Sequence, residues 1–178
     1  MTEKANVAMR FDHLEVTFPR GTLTQAFRDE VDAFFCGVFG WTSQAMSVFG
    51  GDCHRLCVDD GQFVMLAESD FPQAFPVGDI GEGPGETMFV PHLGITLDGV
   101  EEVQRVVEAC RRFQARDPRL RLKEFPLQTY FNPNAASAGV LVMYLLPIWF
   151  DLHARSWKAG HEPEKQYRYW CYAPDAKS

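Results

Sequence analysis

Apolar and polar residues alternate over residues 13–18, His-Leu-Glu-Val-Thr-Phe, and alternate again over residues 92–97, His-Leu-Gly-Ile-Thr-Leu. A period of two belongs to a strand with one buried face. Leu14, Val16 and Phe18 therefore form one apolar face, and Leu93, Ile95 and Leu97 form another. The opposite faces carry His13, Glu15 and Thr17 in the first copy and His92, Gly94 and Thr96 in the second. The copies start at positions 13 and 92, so the repeat spacing of 79 residues is long enough for a complete folding module.

A helical period follows each strand. Leu23, Phe27, Val31, Phe34, Phe35 and Val38 recur mostly at steps of three and four, with Thr22 and Gln25 at capping-box spacing and Gly40 at the stop. Val100, Val103, Val107 and Cys110 line a second helix, with Asp98 and Glu101 at its start. Three strand-like runs come after each helix. In the first half they are about 45–49, 54–58 and 63–68, with Asp59-Asp60-Gly61 as a hairpin turn between the last two. In the second half they are about 120–124, 139–145 and 148–154, with Asn132-Pro133-Asn134 as a loop. The order is β-α-β-β-β twice. This predicts an α+β chain of two βαβββ modules forming a single domain, with a cup between the sheets. Module one covers about 9–70 and module two about 89–155, joined by a Pro- and Gly-rich linker at about 71–88. An extension over 156–178 holds Tyr167, Tyr169, Trp170 and Tyr172 and has no counterpart in the first half.

Composition narrows the function classes. A net charge of −7 with acids spread along the chain disfavours nonspecific contact with nucleic acid or anionic membrane. No run approaches the roughly 18–20 apolar residues of a membrane span. Residues 1–10 contain no apolar signal core, and five cysteines are an odd number, so free thiols in a reducing cytoplasm are expected. Cys53-His54-Arg55-Leu56-Cys57 suggests zinc, but no second Cys/His pair completes a four-ligand site. A Gly-x-Ser-x-Gly elbow and a Walker-type loop are both missing. Gly81 to Gly85 is Gly-rich but is interrupted by Pro84 and opens no helix, so it reads as linker. Cys36 falls among aromatics on the first helix and reads as core rather than nucleophile.

The polar faces hold the candidate chemistry. If each apolar sheet face packs on its helix, the other faces look into the cup with His13 and His92. The last strand of each half adds an acid: Glu68 in the first, and Asp151 in the second, with Trp149 and His153 on the same face by alternation. Two imidazoles with one or two carboxylates suit a divalent ion such as iron, nickel, zinc or manganese. Such an ion acts as a Lewis acid on a chelating oxygen pair or activates water.

Four segments together resemble the vicinal oxygen chelate superfamily, which includes glyoxalase I, bleomycin-resistance proteins, fosfomycin-resistance enzymes and extradiol dioxygenases. They are Asp12-His13-Leu14-Glu15-Val16, residues 34–41 (Phe-Phe-Cys-Gly-Val-Phe-Gly-Trp), His92 to Val100, and Phe150-Asp151-Leu152-His153. They span about residues 10–154. The resemblance implies metal ligands at His13, Glu68, His92 and Asp151, a small-molecule ligand and a homodimer. The chain departs from the family at two places. Asp151 stands where glutamate is usual, and Leu146-Pro147-Ile148-Trp149 replaces an Asp-Pro-x-Gly turn. Two functions follow as expectations. In a metal-dependent enzyme of dioxygenase, isomerase or lyase type, Glu68 would serve as fourth ligand or base, and Glu15 or His153 would carry a proton. In a metal-free sequestering protein of bleomycin-resistance type, Trp149, Tyr144 and the aromatic extension would line the pocket. A regulatory or assembly module using the extension is a third reading.

Overall fold

The computed structural model describes residues 12–59, 61–72, 92–129 and 133–162. The chain separates into two compact units, 1–73 and 74–178. Residues 73–88 of the linker, Asp60, Asn132 and the aromatic cluster of the extension lie outside the described residues.

In the first unit, strand β1 (His13–Phe18) leads to helix α1 (Gln25–Phe39) and then to β2 (Thr42–Val48), β3 (Gly51–Asp59) and β4 (Gln62–Glu68). The strands lie in the order β1-β4-β3-β2. β1 runs parallel to β4, and the other neighbours are antiparallel. A parallel pair needs a long connection, which here includes α1. In the second unit the elements are β5 (His92–Thr96), α2 (Val100–Gln114), β6 (Arg121–Gln128), β7 (Ala135–Met143) and β8 (Trp149–Trp157). Their sheet order, β5-β8-β7-β6, repeats the first. The duplicated βαβββ architecture is thus present in both halves.

The apolar faces predicted by alternation are the ones covered by the helices. Val16, Phe18, Leu56, Val64 and Leu66 are buried with Val31, Phe34 and Phe35 of α1. Val140, Val142, Phe150, Leu152 and Ala154 are buried with Val103, Val107, Cys110 and Phe113 of α2. Each such burial contributes on the order of 1.5–3 kcal/mol to its unit.

The caps differ in detail from expectation. The N-cap of α1 is Thr24, whose hydroxyl accepts from Phe27 N–H, while Thr22 Oγ1 donates to Pro19 O at 2.7 Å. A proline carbonyl in reach thus captures the hydroxyl expected to cap the helix. Gly40 closes α1 with φ 75°, a left-handed conformation that glycine adopts at little cost. The N-cap of α2 is Gly99, and Glu102 reaches back to accept from Asp98 N–H at 3.1 Å. The last strand runs on to Trp157, so the first residues assigned to the extension belong to the sheet. A turn that the sequence pattern did not suggest joins β2 to β3, with Phe49 and Gly50 at φ 51° and 78°. Two consecutive positive φ values are the signature of a type I′ hairpin turn.

Candidate functional site

Strand register settles which side chains share the sheet face turned away from each helix. Residues directly opposite on paired strands lie on the same face. In the first unit, His13, Glu15 and Thr17 stand opposite Phe63, Met65 and Ala67. In the second, His92, Gly94 and Thr96 stand opposite Trp149, Asp151 and His153. The two faces correspond position by position, with different chemistry at each.

Glu68 does not share the face of His13. It pairs with Phe18 and lies with Val64 and Leu66 on the helix side. Its Oε1 accepts from Leu23 N–H at 2.7 Å. Hydrogen bonds from the backbone of Gly21 and Leu23 hold its carboxyl below the usual carboxylate range. The glutamate therefore fastens the β1–α1 loop to the sheet, and its place as fourth ligand or base is corrected. The physical reason is parity: 68 is even, with 64 and 66, while the positions facing away are odd. On that face the first unit's carboxylate is Glu15, opposite Met65, whereas the second unit's is Asp151, opposite Gly94. The acid has moved one strand across at the same level of the sheet.

His13 stacks on Phe63 with ring centroids 4.9 Å apart, and its Nδ1 lies 2.6 Å from Asp12 Oδ2. Arg55 covers the Phe63 ring as well, at 4.3 Å. A carboxylate on Nδ1 fixes the imidazole and leaves Nε2 as the donor atom, the arrangement common around ligating histidines. In the second unit His92 Nε2 lies 4.0 Å from Asp151 Oδ2. Asp151 Oδ2 is also 3.2 Å from His153 Nδ1, and His153 Nε2 is 3.3 Å from both Thr96 Oγ1 and Arg155 Nη2. Two glycines frame this group. A Cβ on Gly94 would meet His153 Cε1 at 3.7 Å, and one on Gly139 would meet His153 Cβ at 3.1 Å and Asp151 Oδ1 at 3.4 Å. Both strands beside the Asp151–His153 pair thus carry a glycine, and the two side chains stay half-buried.

Beside the polar group is an apolar one. Leu141 and Trp149 are buried, with Phe125 and Met143 packed on them half-buried. Arg121 lies over the Trp149 ring at 4.9 Å. Trp149 is thus where alternation put it. Tyr144 is not. It sits on the helix side with its ring against Phe113 at 5.1 Å, and its hydroxyl donates to Asp117 Oδ2 at 2.7 Å. Its even position aligns it with Val140 and Val142, so it belongs to the core and cannot line the expected pocket.

The donor set was tested against a divalent ion. Two ligands each about 2.0–2.1 Å from one ion stand no more than about 4.2 Å apart. The 4.0 Å between His92 and Asp151 falls inside that limit. Glu68 lies outside the set, and among the described residues no three such side chains are gathered to hold an ion. The second unit therefore supplies two donors, His92 and Asp151. The Cys53–Cys57 motif does not fit: the two cysteines face away from α1, while His54 faces it and bonds Asp32 at 2.7 Å. Burial raises the pKa of the Cys36 and Cys53 thiols, and pushes Cys110 up to about 12.

No family model and no curated protein matches the chain in sequence. Among solved structures, it is similar to a glyoxylase/bleomycin resistance protein/dioxygenase domain from Frankia sp. EAN1pec, with TM-score 0.51, 10% identity, and coverage of 84% of this chain and 100% of that one. It is also similar to a glyoxalase family protein from Bacillus anthracis (TM-score 0.49, 13% identity, 86% and 100% covered). The fosfomycin resistance protein FosX from Listeria monocytogenes gives TM-score 0.48 and 12% identity, with 91% and 99% covered. The fold is that of a paired βαβββ protein. More closely, it is the fold of the glyoxylase/bleomycin resistance/dioxygenase domain, as the resemblance to the vicinal oxygen chelate superfamily implies. At such identities the likeness is one of fold, and function has to be argued from the site. No helix among the described residues is long and apolar enough to cross a membrane.

Proposed function

We propose that the protein binds a small oxygen-bearing molecule through a divalent metal ion, with His92 and Asp151 as ligands. The observation that carries this reading is the diagonal pair His92 and Asp151 on neighbouring strands, 4.0 Å apart, with a Cβ on Gly139 the one that would come within 3.4 Å of the carboxylate. A bound ion would polarise an oxygen of the ligand or lower the pKa of a bound water. His153 is the residue placed to hold or pass a proton, because its Nδ1 contacts Asp151 and its Nε2 lies beside Thr96 and Arg155. Dioxygenase, isomerase and lyase chemistry share these requirements.

The test is metal content of protein purified without chelator, together with the melting shift on adding iron, nickel, zinc or manganese. An ion at 100 times its dissociation constant stabilises by about 2.7 kcal/mol, a shift of roughly 5–10 °C. H92A and D151N should remove the shift, and E68Q should keep it. Absence of both a stoichiometric metal and any shift would overturn the reading. A metal-free binding protein is the second reading, favoured by the contact of Asp151 with His153, which partners both groups without an ion. Chelator-insensitive ligand binding would support it.

A further inference from the structure

The protein carries a net charge of −7, yet the face of the second unit that holds Asp151 has the opposite balance. Its strand residues include Arg121 and Lys123 on β6 and Arg155 on β8, against the single carboxylate Asp151. The corresponding face of the first unit is even, with Arg55 against Glu15. All three cations are half-buried. Lys123 and Asp151 both stand opposite Leu141, so two strand spacings of about 4.8 Å put them roughly 10 Å apart at the backbone. Between them lies Leu141, which is clustered with Trp149, Phe125 and Met143.

A second, independent observation concerns Trp149. It is 3% exposed, and its Nε1 has no hydrogen-bond partner among the described residues. An indole N–H only donates, and leaving such a donor buried without an acceptor costs about 1–3 kcal/mol. The missing partner is an acceptor oxygen, and Arg121 already covers the indole ring.

We propose that this face takes an anionic small molecule, an oxyanion head group on an apolar body, with the charge against Arg121 and Lys123 and an acceptor oxygen on Trp149 Nε1. The inference deepens the reading above by naming the ligand class of the same face. The apolar body lies along Phe125 and Met143, and the end nearer β8 reaches Asp151. A ligand spanning these groups is about 10 Å long, the separation of two strand spacings. A neutral ligand of the same shape loses the charge-assisted hydrogen bonds and about tenfold in affinity.

Two fluorescent probes test the idea: 1-anilinonaphthalene-8-sulfonate, which carries an oxyanion, and N-phenyl-1-naphthylamine, which has the same rings without it. The sulfonate should bind about tenfold more tightly. R121Q and K123Q should each weaken the sulfonate several-fold and leave the neutral probe within about twofold. The unsubstituted protein supplies a control that needs no variant: ionic strength of about 1 M, where screening acts within about 3 Å, should weaken the sulfonate alone. Equal affinity for both probes, equal effects of the variants on both, or salt-independent sulfonate binding would overturn the inference. H92A and D151N separate the two claims. If sulfonate selectivity survives in them while no metal binds to any form, the metal reading fails and the anion site stands. If manganese binds and both probes behave alike, the reverse holds.

Discussion

The two units share a frame and differ in what they place on it. Both have a fifteen-residue helix, and the eighth helical residue is Asp32 in α1 and Val107 in α2. Beneath the helix, His54 pairs with Leu66, itself opposite Val16, while Val140 pairs with Leu152, itself opposite Ile95. The first unit thus holds a buried hydrogen-bonded set, Asp32 with His54 at 2.7 Å and with Ser43 at 2.8 Å, where the second holds valines. On the other face the contrast reverses. Met65 and Ala67 occupy the positions of Asp151 and His153. A duplicated fold has one polar cluster behind its first sheet and another in front of its second. Polarity can therefore move across the same backbone, with His54 bonding Asp32 through Nε2 in the first unit and His153 meeting Asp151 through Nδ1 in the second.

Four sets of substitutions would break or sharpen that comparison. The largest effect is expected in the aromatic core of the first unit, where Phe34, Phe35, Phe39 and Trp41 pack ring on ring at 5.0–5.8 Å. F35A should cost about 3–5 kcal/mol by denaturant unfolding, since Phe35 is fully buried. Next is the Asp32–His54 pair. D32V strands the buried His54 and should cost about 1–3 kcal/mol, whereas H54V leaves the half-exposed Asp32 with Ser43 and should cost less. The double variant restores the second unit's valine pair and should recover most of that loss. A double variant as damaged as the sum of the singles would show that the two frames are not interchangeable here.

A smaller effect, visible as pH dependence, comes from the carboxylates that tie loops to each sheet. Arg119, and then the Tyr144 hydroxyl, hold Asp117 well below the carboxylate range, and backbone N–H groups do the same for Glu68. A depressed folded-state pKa adds stability that is present above the ordinary carboxylate range, near pH 4, and disappears as pH falls through the folded-state value. Thermal melts at neutral pH should therefore be lower for D117N and E68Q, and their deficit against the unsubstituted protein should shrink below about pH 4. A deficit independent of pH would contradict this. The smallest effect belongs to Phe49, fully exposed with φ 51°. F49N should stabilise by about 0.4–1 kcal/mol, because asparagine tolerates that conformation better.

Much of the fold was legible because alternation and the helical period are local properties of the chain. Leu14, Val16 and Phe18 needed only their spacing to be assigned to the core. The site was legible in part. Trp149, Asp151 and His153 were correctly grouped, since a period of two inside one strand is reliable over a few residues. Glu68 and Tyr144 were misassigned for a related reason: each sits at a strand end, where a shift of one residue exchanges the faces. The Asp32–His54–Ser43 set gave no signal, because its members are far apart in sequence and ordinary in type.

The sequence by itself determined the duplicated βαβββ order and the inward faces of its strands, because side-chain alternation and helical periodicity follow from backbone geometry alone. Only the tertiary structure decided which neighbours stand across the strands. Register between strands set Glu15 against Met65 and Asp151 against Gly94, placed Asp151 and His153 between two glycines, and turned Glu68 to the helix side. Register is fixed by packing between distant segments, and no local pattern in the chain records it.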